Sequence, residues 1–503
     1  MSKSFRGRLF AAIFSAGVGG AVIAGPAAAE TLAEAIALAY DNNPTLQAQR
    51  ATQRALDETY VQARAGYRPT VSLQARATYD EQRIPKTARA NALEQFGIFE
   101  SNSGSTTLSI TQPVYTGGRV AAAVSAAEAD ILQGRENLRR VESQIMGSVI
   151  QAYVDVRRDQ DGLRIQQDNL KVLTRQLDES NARFDVGEIT KTDVAQSQAR
   201  LAASQAQLQQ AQAQLAISRA NYAAVVGQNP GELEPEPSLA PLLPADVDTV
   251  FQIAEQNNPQ IRAAEYAEQA SRARLGGARA ERLPNLALQG SVSQGGGPVD
   301  PFERERYSRE VTGSVVLTMP LFNGGLTTSR VRQTAERHNV DRINIETARR
   351  SVLQGATQAW NQLVATRANV ISTATQVSAA RLAAEGTRQE QQVGLRTTID
   401  VLNAEQEQRA AELAQIQARH DTYVASANIL ASMGRLEAKN LTPLKAQYDP
   451  KTNFNRLRIT WGWVPWEEPL AIVDGALTPK TTPMAVEGPP AGAPVLTQPR
   501  PAN

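Results

Sequence analysis

The chain writes one turn twice. Phe184–Val194 reads FDVGEITKTDV and Gln391–Val401 reads QQVGLRTTIDV; positions 184 and 391 are offset by 207. The same offset joins Gln112–Arg119 (QPVYTGGR) to Met319–Leu326 (MPLFNGGL) and Gly227 to Gly434. Upstream, Asp41–Leu46 (DNNPTL) matches Gln256–Ile261 (QNNPQI), and Arg68–Leu73 (RPTVSL) matches Leu283–Leu288 (LPNLAL), at an offset of 215. The fall from 215 to 207 places eight extra residues of the first copy between Pro69 and Pro113. The chain is therefore a tandem duplication: repeat 1 over 30–230, a linker over 231–244, and repeat 2 over 245–436. Whatever one copy folds into, the other must fold into as well.

Each copy has the same internal order. A helical run comes first, Pro44–Gly66 and Pro259–Glu281. A proline and an alternating stretch come next. Over Thr70–Tyr79, Val71, Leu73, Ala75, Ala77 and Tyr79 fall on one face, and Thr70, Ser72, Gln74, Arg76 and Thr78 on the other. Period-two alternation over about ten residues is the length of a membrane-spanning strand. The returning strand is expected at Ser105–Tyr115, with Leu108, Ile110 and Val114 outward; copy two repeats the pair at Asn285–Ser293 and Glu310–Leu321. Alternation alone equally suits a half-buried soluble sheet. The eight extra residues are expected in an external loop, Asp80–Gly104, where a deletion around Ala88–Gln95 is tolerated.

Long helices complete each copy. No proline interrupts Arg119–Phe184 or Leu326–Gln391, and at about 1.5 Å per residue each run reaches roughly 100 Å. Apolar residues recur every seventh position (Val149, Val156, Leu163, Leu170, Leu177; then Leu363, Val370, Val377, Ala384), the period of a left-handed supercoil. The return helices carry small residues at the same spacing, Ser197, Ser204, Ala211 and Ser218, then Ala404, Ala411, Ala418 and Ala425. Gly187 and Gly394 suit the residue just past a helix end. Thr190 with Asp193, and Thr397 with Asp400, have capping-box spacing. The doubled turn is thus the tip of a coiled-coil hairpin.

Charge is balanced, 52 basic residues against 51 acidic, which argues against a nucleic-acid binder. There is no cysteine, and the two histidines, His338 and His420, stand in polar helical stretches as expected surface residues. No nucleophile, metal cluster or paired carboxylates suggest an enzyme, and no cofactor is expected. Lys3, Arg6 and Arg8, an apolar run and Ala27-Ala28-Ala29 read as a signal peptide over 1–29, with a mature chain that is not a lipoprotein. No later run of 18 apolar residues forms a membrane helix. Phe454–Leu470 concentrates three of the tryptophans and either packs on the body or meets a partner; 437–477 is expected beside the helices, and the Pro-rich 478–503 to be disordered.

The order NNP, PVYTGGR, VGEITKTDV, then NNP, PLFNGGL, VGLRTTIDVLNAE resembles the TolC family of outer-membrane export channels. The resemblance implies a mainly α fold with a membrane β-barrel: a homotrimer whose pooled strands form the barrel and whose helices form a periplasmic tunnel with an equatorial belt. It implies a passive duct in the outer membrane for secreted protein or small molecules, served by a periplasmic adaptor and an inner-membrane ABC or proton-driven pump. A periplasmic adaptor with its own hairpin is the alternative. In this chain Asp400 matches the first of two family acids at the entrance, while Asn403 occupies the second position and Gln391 replaces an aromatic latch. Arg396 matches the tip arginine, and Thr192 and Asp193 match the residues that it meets. Only the second tip joins Arg396 to Asp400, so copy two is expected to line the entrance.

Overall fold

The computed structural model describes residues 29–85, 97–296, 307–442, 447–457, 459–460 and 462–476. The signal peptide, the loop segment chosen for deletion and the Pro-rich tail lie outside the described residues.

The two copies fold alike. In the first, α1 (Leu32–Asn42) and α2 (Pro44–Arg64) precede β1 (Thr70–Ile84), β2 (Gly97–Tyr115), α3 (Arg119–Asp185) and α4 (Lys191–Val226). In the second, α5 (Val247–Asn257) and α6 (Pro259–Ala280) precede β3 (Asn285–Gly296), β4 (Tyr307–Thr318), α7 (Leu326–Gln392) and α8 (Thr398–Ser432). Helices α3 and α7 have 67 residues each. Short helices α9 (Ala438–Leu441), α10 (Pro450–Leu457) and α11 (Glu467–Ala476) close the described chain.

The strands form one antiparallel meander, β1-β2-β3-β4. Its register gathers the apolar residues on one face: Leu73 lies opposite Leu108, Leu108 opposite Val292, and Val292 opposite Val311. Leu73, Leu108 and Val311 are exposed, Leu73 and Val311 at 69% each, and Val292 is half-buried. Serines and threonines line the other face, where Ser72 and Ser109 share a 2.7 Å hydrogen bond. Two expectations are corrected by this register. Tyr115, not Val114, opposes Leu286, because the register shifts between Pro113 and Tyr115 and reverses the parity of the strand end. The first hairpin is also longer than the alternation suggested: Ile84 still pairs with Gly97, and in the second hairpin the last pair among the described residues is Gly296 with Tyr307. Most of the eight-residue excess therefore falls within paired strand among the described residues. Beyond the apolar belt, ladder hydrogen bonds hold a strand without any need to alternate.

The repeated NNP motif is a joint between stacked helices. Asn43 caps α2, its Oδ1 accepting from the N–H groups of Thr45 and Leu46 at 3.0 and 3.3 Å. Its Nδ2 donates to the carbonyl of Val225, in the last turn of α4, at 2.9 Å. Asn258 repeats this, accepting from Gln260 N–H and donating to Ser432 O at 2.8 Å each. So α4 and α2 stack end to end alongside α3, and α8 and α6 alongside α7. Gly434 permits the close approach: at φ +67°, a Cβ there would lie 2.6 Å from Asn257 O.

Most of the buried apolar side chains cluster around this level. Ile36, Tyr40, Met146, Val149, Tyr153, Tyr222, Ile429 and Met433 pack together. Tyr153 Oη donates to the carbonyls of Glu30 and Glu234 at 2.9 and 2.7 Å, which pins the start of the described chain to the linker. Towards the tips the helix pairs are thin and use their small-residue seams. Ser197 meets Ser180 at 3.1 Å and Ser204 accepts from Asn169 at 2.6 Å, while Ala411 and Ala418 are buried in the second pair. Leu363, 1% exposed, is a large apolar contact of the second pair; its truncation to Ala costs about 2–5 kcal/mol.

Candidate functional site

The two tips share one geometry. Gly187 and Gly394 both have φ +79° and end the descending helices. At the first tip, Asp193 Oδ2 accepts from the Thr190 N–H at 2.9 Å and hydroxyl at 2.8 Å, and Asp193 N–H returns to Thr190 Oγ1 at 3.4 Å. At the second, Asp400 Oδ2 accepts from Thr397 N–H at 3.0 Å and hydroxyl at 2.7 Å, with Asp400 N–H again 3.4 Å from Thr397 Oγ1. Hydrogen bonds to the ionised form hold both carboxyls below the usual carboxylate range: Asp193 through the backbone and then the hydroxyl, Asp400 through the hydroxyl and then the backbone. Both acids thus remain charged while serving as caps.

Arg396 lies on its own hairpin, its Nε 2.8 Å from Glu390 Oε2. Thr192 is exposed. Gln391, where an aromatic was the family expectation, is buried and reaches Thr398 Oγ1 at 3.4 Å. Asn403 has a partner that sequence reasoning missed: Arg200 of α4 donates to its Oδ1 at 3.0 Å and also to Gln406. Arg200 therefore ties the return helix of one hairpin to that of the other. Further from the tip Arg409 donates to Asn169 Oδ1 at 2.6 Å, a second cross-link between hairpins.

The histidines correct an expectation. His420 is buried, with Nε2 2.8 Å from Asp155 Oδ1 across the α3–α8 contact and Nδ1 2.9 Å from Asp421 Oδ1. Burial opposes its charge, but the two carboxylates outweigh burial and raise its pKa above the ordinary 6.5. His338 meets Glu268 Oε1 at 2.7 Å between α7 and α6. A histidine in a polar stretch reads as solvated unless the facing helix is known, and nothing local announces that helix.

The Trp-rich segment packs on the body. Glu467, fully buried, accepts from Arg68 Nε at 2.9 Å and lies 2.6 Å from Arg64 Nε, a charge contact without hydrogen-bond alignment. Asp474, also fully buried, accepts from the N–H groups of Thr116, Gly118 and Ala121 at 2.8, 3.0 and 3.3 Å, and from Thr116 Oγ1 at 2.8 Å. It caps α3, whose own N-cap residue Gly118 has no side chain to do so.

No group of acids and histidines among the described residues is arranged to hold a metal, and no described helix is long and apolar enough to cross a membrane. What stands out is a two-faced sheet above paired hairpins. A sequence profile of the family described as outer membrane efflux protein matches residues 35–228 and 250–435, one block per copy. The chain is 33% identical over 445 residues to the outer membrane efflux protein BepC of Brucella suis, covering 88% of this chain and 94% of that protein. It is 24% identical over 348 residues to the alkaline protease secretion protein AprF of Pseudomonas aeruginosa, covering 68% and 72%. The Campylobacter jejuni outer membrane channel CmeC superposes with a TM-score of 0.69 at 14% identity, over 85% of this chain and 89% of that one, a likeness of fold. Profile, relatives and architecture agree copy by copy, leaving the adaptor alternative without support, and the chain belongs to the outer membrane efflux protein family.

Proposed function

We propose that three copies close their sheets into one barrel across the outer membrane and their hairpins into one periplasmic tunnel, forming a passive export duct. The observation that carries this reading is a sheet with an apolar face, a polar face and two bare edges, β1 and β4, joined directly to 67-residue helices. An unpaired edge is not tolerated in hydrocarbon, and four strands are too few to close a barrel. Pairing β4 of one copy with β1 of the next removes every edge, and the serine and threonine face then lines water. A periplasmic adaptor at the tips and an inner-membrane pump, ABC or proton-driven, supply cargo and energy. The relatives' names divide between efflux and protease secretion, and the choice of cargo rests with pump and adaptor.

At the entrance, Asp400 of each copy contributes to a negative ring that concentrates cations. Asn403 adds no second acid and instead takes Arg200, a contact that holds the hairpins together at rest. An exposed contact of the Arg200 kind contributes about 1 kcal/mol or less, so an adaptor undoes it easily. Arg396 exchanges Glu390 for Thr192 or Asp193 of a neighbouring hairpin in the closed ring. Cross-linking of detergent-extracted protein is expected to stop at three chains; a stable monomer in the soluble periplasmic fraction would overturn the barrel. In planar bilayers, Arg396→Ser raises single-channel conductance, and Asp400→Ala lowers cation preference and block by multivalent cations. Unchanged selectivity with reduced thermal stability would leave Asp400 as a helix cap only.

A further inference from the structure

Helix α11 is amphipathic in the wrong sense for water. A surface helix ordinarily turns its charges outward and its apolar stripe to the core. Here Glu467 and Asp474, one face of the helix, are fully buried against the protein. The opposite face carries Pro469, Ile472, Val473 and Ala476, all exposed, Ile472 at 70%. The segment leading into it exposes Ile459, Trp463 and Trp466 as well.

The height of α11 is fixed by its partners. Arg68 lies just before β1, Thr116 directly after β2, and both hold the helix by its buried acids. Trp466 Nε1 donates to Gln112 Oε1 at 3.1 Å. Gln112 belongs to the lipid-side face of β2, two residues beyond Ile110 and opposite Leu288. The apolar face of α11 is thus continuous with the lower margin of the apolar face of the sheet. Indole rings favour this level, where the ring meets acyl chain and the N–H meets a polar partner.

We infer that α11 with Trp463 and Trp466 is an interfacial anchor that lies in the headgroup boundary of the periplasmic leaflet of the outer membrane, with phospholipid covering Ile472 and Val473. The inference rests on the reading of the sheet as membrane-spanning. Glu467 and Asp474 turn inward because Arg64, Arg68 and the bare α3 terminus need them, and Glu468, exposed at the margin between the two faces, is tied back to Arg64 at 2.7 Å, which leaves the outer face at Ile472 and Val473 for lipid.

Depth-dependent fluorescence quenching tests this on the full-length protein in nanodiscs of phosphatidylethanolamine and phosphatidylglycerol. Trp466 is kept as the single tryptophan, with Trp360, Trp461 and Trp463 changed to Phe, and the lipids carry bromine either near the carbonyl or near the chain end. Trp466 is expected to be quenched about twofold more by the shallow bromines than by the deep ones, as for an interfacial indole. A Leu73→Trp reporter in a background lacking the four native tryptophans reads the spanning sheet. Quenching of the Leu73→Trp reporter without quenching of Trp466 overturns the anchor and leaves the barrel standing. Absence of quenching at both positions overturns the membrane-spanning reading itself. Ile472→Asp with Val473→Asp leaves the buried acids in place and is expected to reduce Trp466 quenching; unchanged quenching in that variant also counts against the anchor.

Discussion

The stretches Pro113–Gly118 and Pro320–Gly325 are one motif in two environments. Both end in paired left-handed glycines, at φ +70° and +85° in the first and +64° and +84° in the second. In copy one Thr116 and both glycines are buried, and a Cβ on Gly117 would lie 2.8 Å from Leu283 Cβ. In copy two Leu321 and Phe322 are 87% and 90% exposed, and nothing lies within 4 Å of a Cβ on Gly324. Asp474 caps the helix after the first stretch; Asn323 in the second donates to Thr327. Local sequence therefore sets the backbone, while α6 and the C-terminal segment set its surroundings. In the proposed ring, the bare junction is the one left to face the next copy.

Three experiments press on this asymmetry. The largest effect is expected where the C-terminal segment clamps the first junction. Glu467→Ala leaves Arg64 and Arg68 buried without their shared carboxylate and costs about 3–5 kcal/mol, and Asp474→Ala costs about 2–3 kcal/mol through orphaned buried donors. Asn323→Ala is expected within about 0.5 kcal/mol of wild type, as for exposed sites elsewhere. Denaturant unfolding of the extracted protein reads all three, and equal losses at Asp474 and Asn323 would erase the distinction between the junctions.

Next come the glycines. A residue with Cβ in the left-handed region costs about 1–2 kcal/mol, which Gly117→Ala and Gly324→Ala both incur. Gly117→Ala is expected to cost more, because Leu283 and the Ala280 carbonyl must move. A loss at Gly324→Ala as large as that at Gly117→Ala would mean that the second junction is just as tightly covered in the assembly.

The smallest effect concerns pH. His420 has Ala213 as its counterpart in copy one, and His338 has Ile131, so both histidines are particular to copy two, and His420 reaches across to Asp155 of copy one. The groups facing His420 are Asp155 and Arg158 of α3 and Asp421 of its own helix. Its folded pKa is raised, so its contribution is complete below 6.5 and fades as pH rises through the folded value. Thermal stability is expected to fall slightly across that window in wild type and to stay flat in His420→Gln. A matching slope in the variant would assign the dependence to other groups.

The duplication, the four strands, the proline-free hairpins and both capping boxes were legible because periods of two and seven, and a Thr–Asp spacing of three, are local consequences of backbone geometry. The parity change after Pro113 was not legible, since a bulge adds a residue without altering composition. Nor were the far strand ends, where charge replaces alternation. The clamp was hidden for another reason: Asp474 and Thr116 lie 358 positions apart, and an acid in a Trp-rich tail announces no helix terminus. Of the hairpin-tip residues, Thr190, Asp193, Thr397 and Asp400 were readable as caps, whereas the Arg200 contact of Asn403 depends on the mutual rotation of two hairpins.

The bare edges of β1 and β4 bear on how this chain's stability is defined. A sheet that cannot rest in lipid until another copy supplies its missing ladder has no solitary native state in the membrane. Its folding equilibrium then contains the concentration of its own copies, so a melting temperature for the barrel shifts with the amount of protein per unit of lipid. Dilution in the bilayer acts as a denaturant, and expression level becomes a determinant of fold.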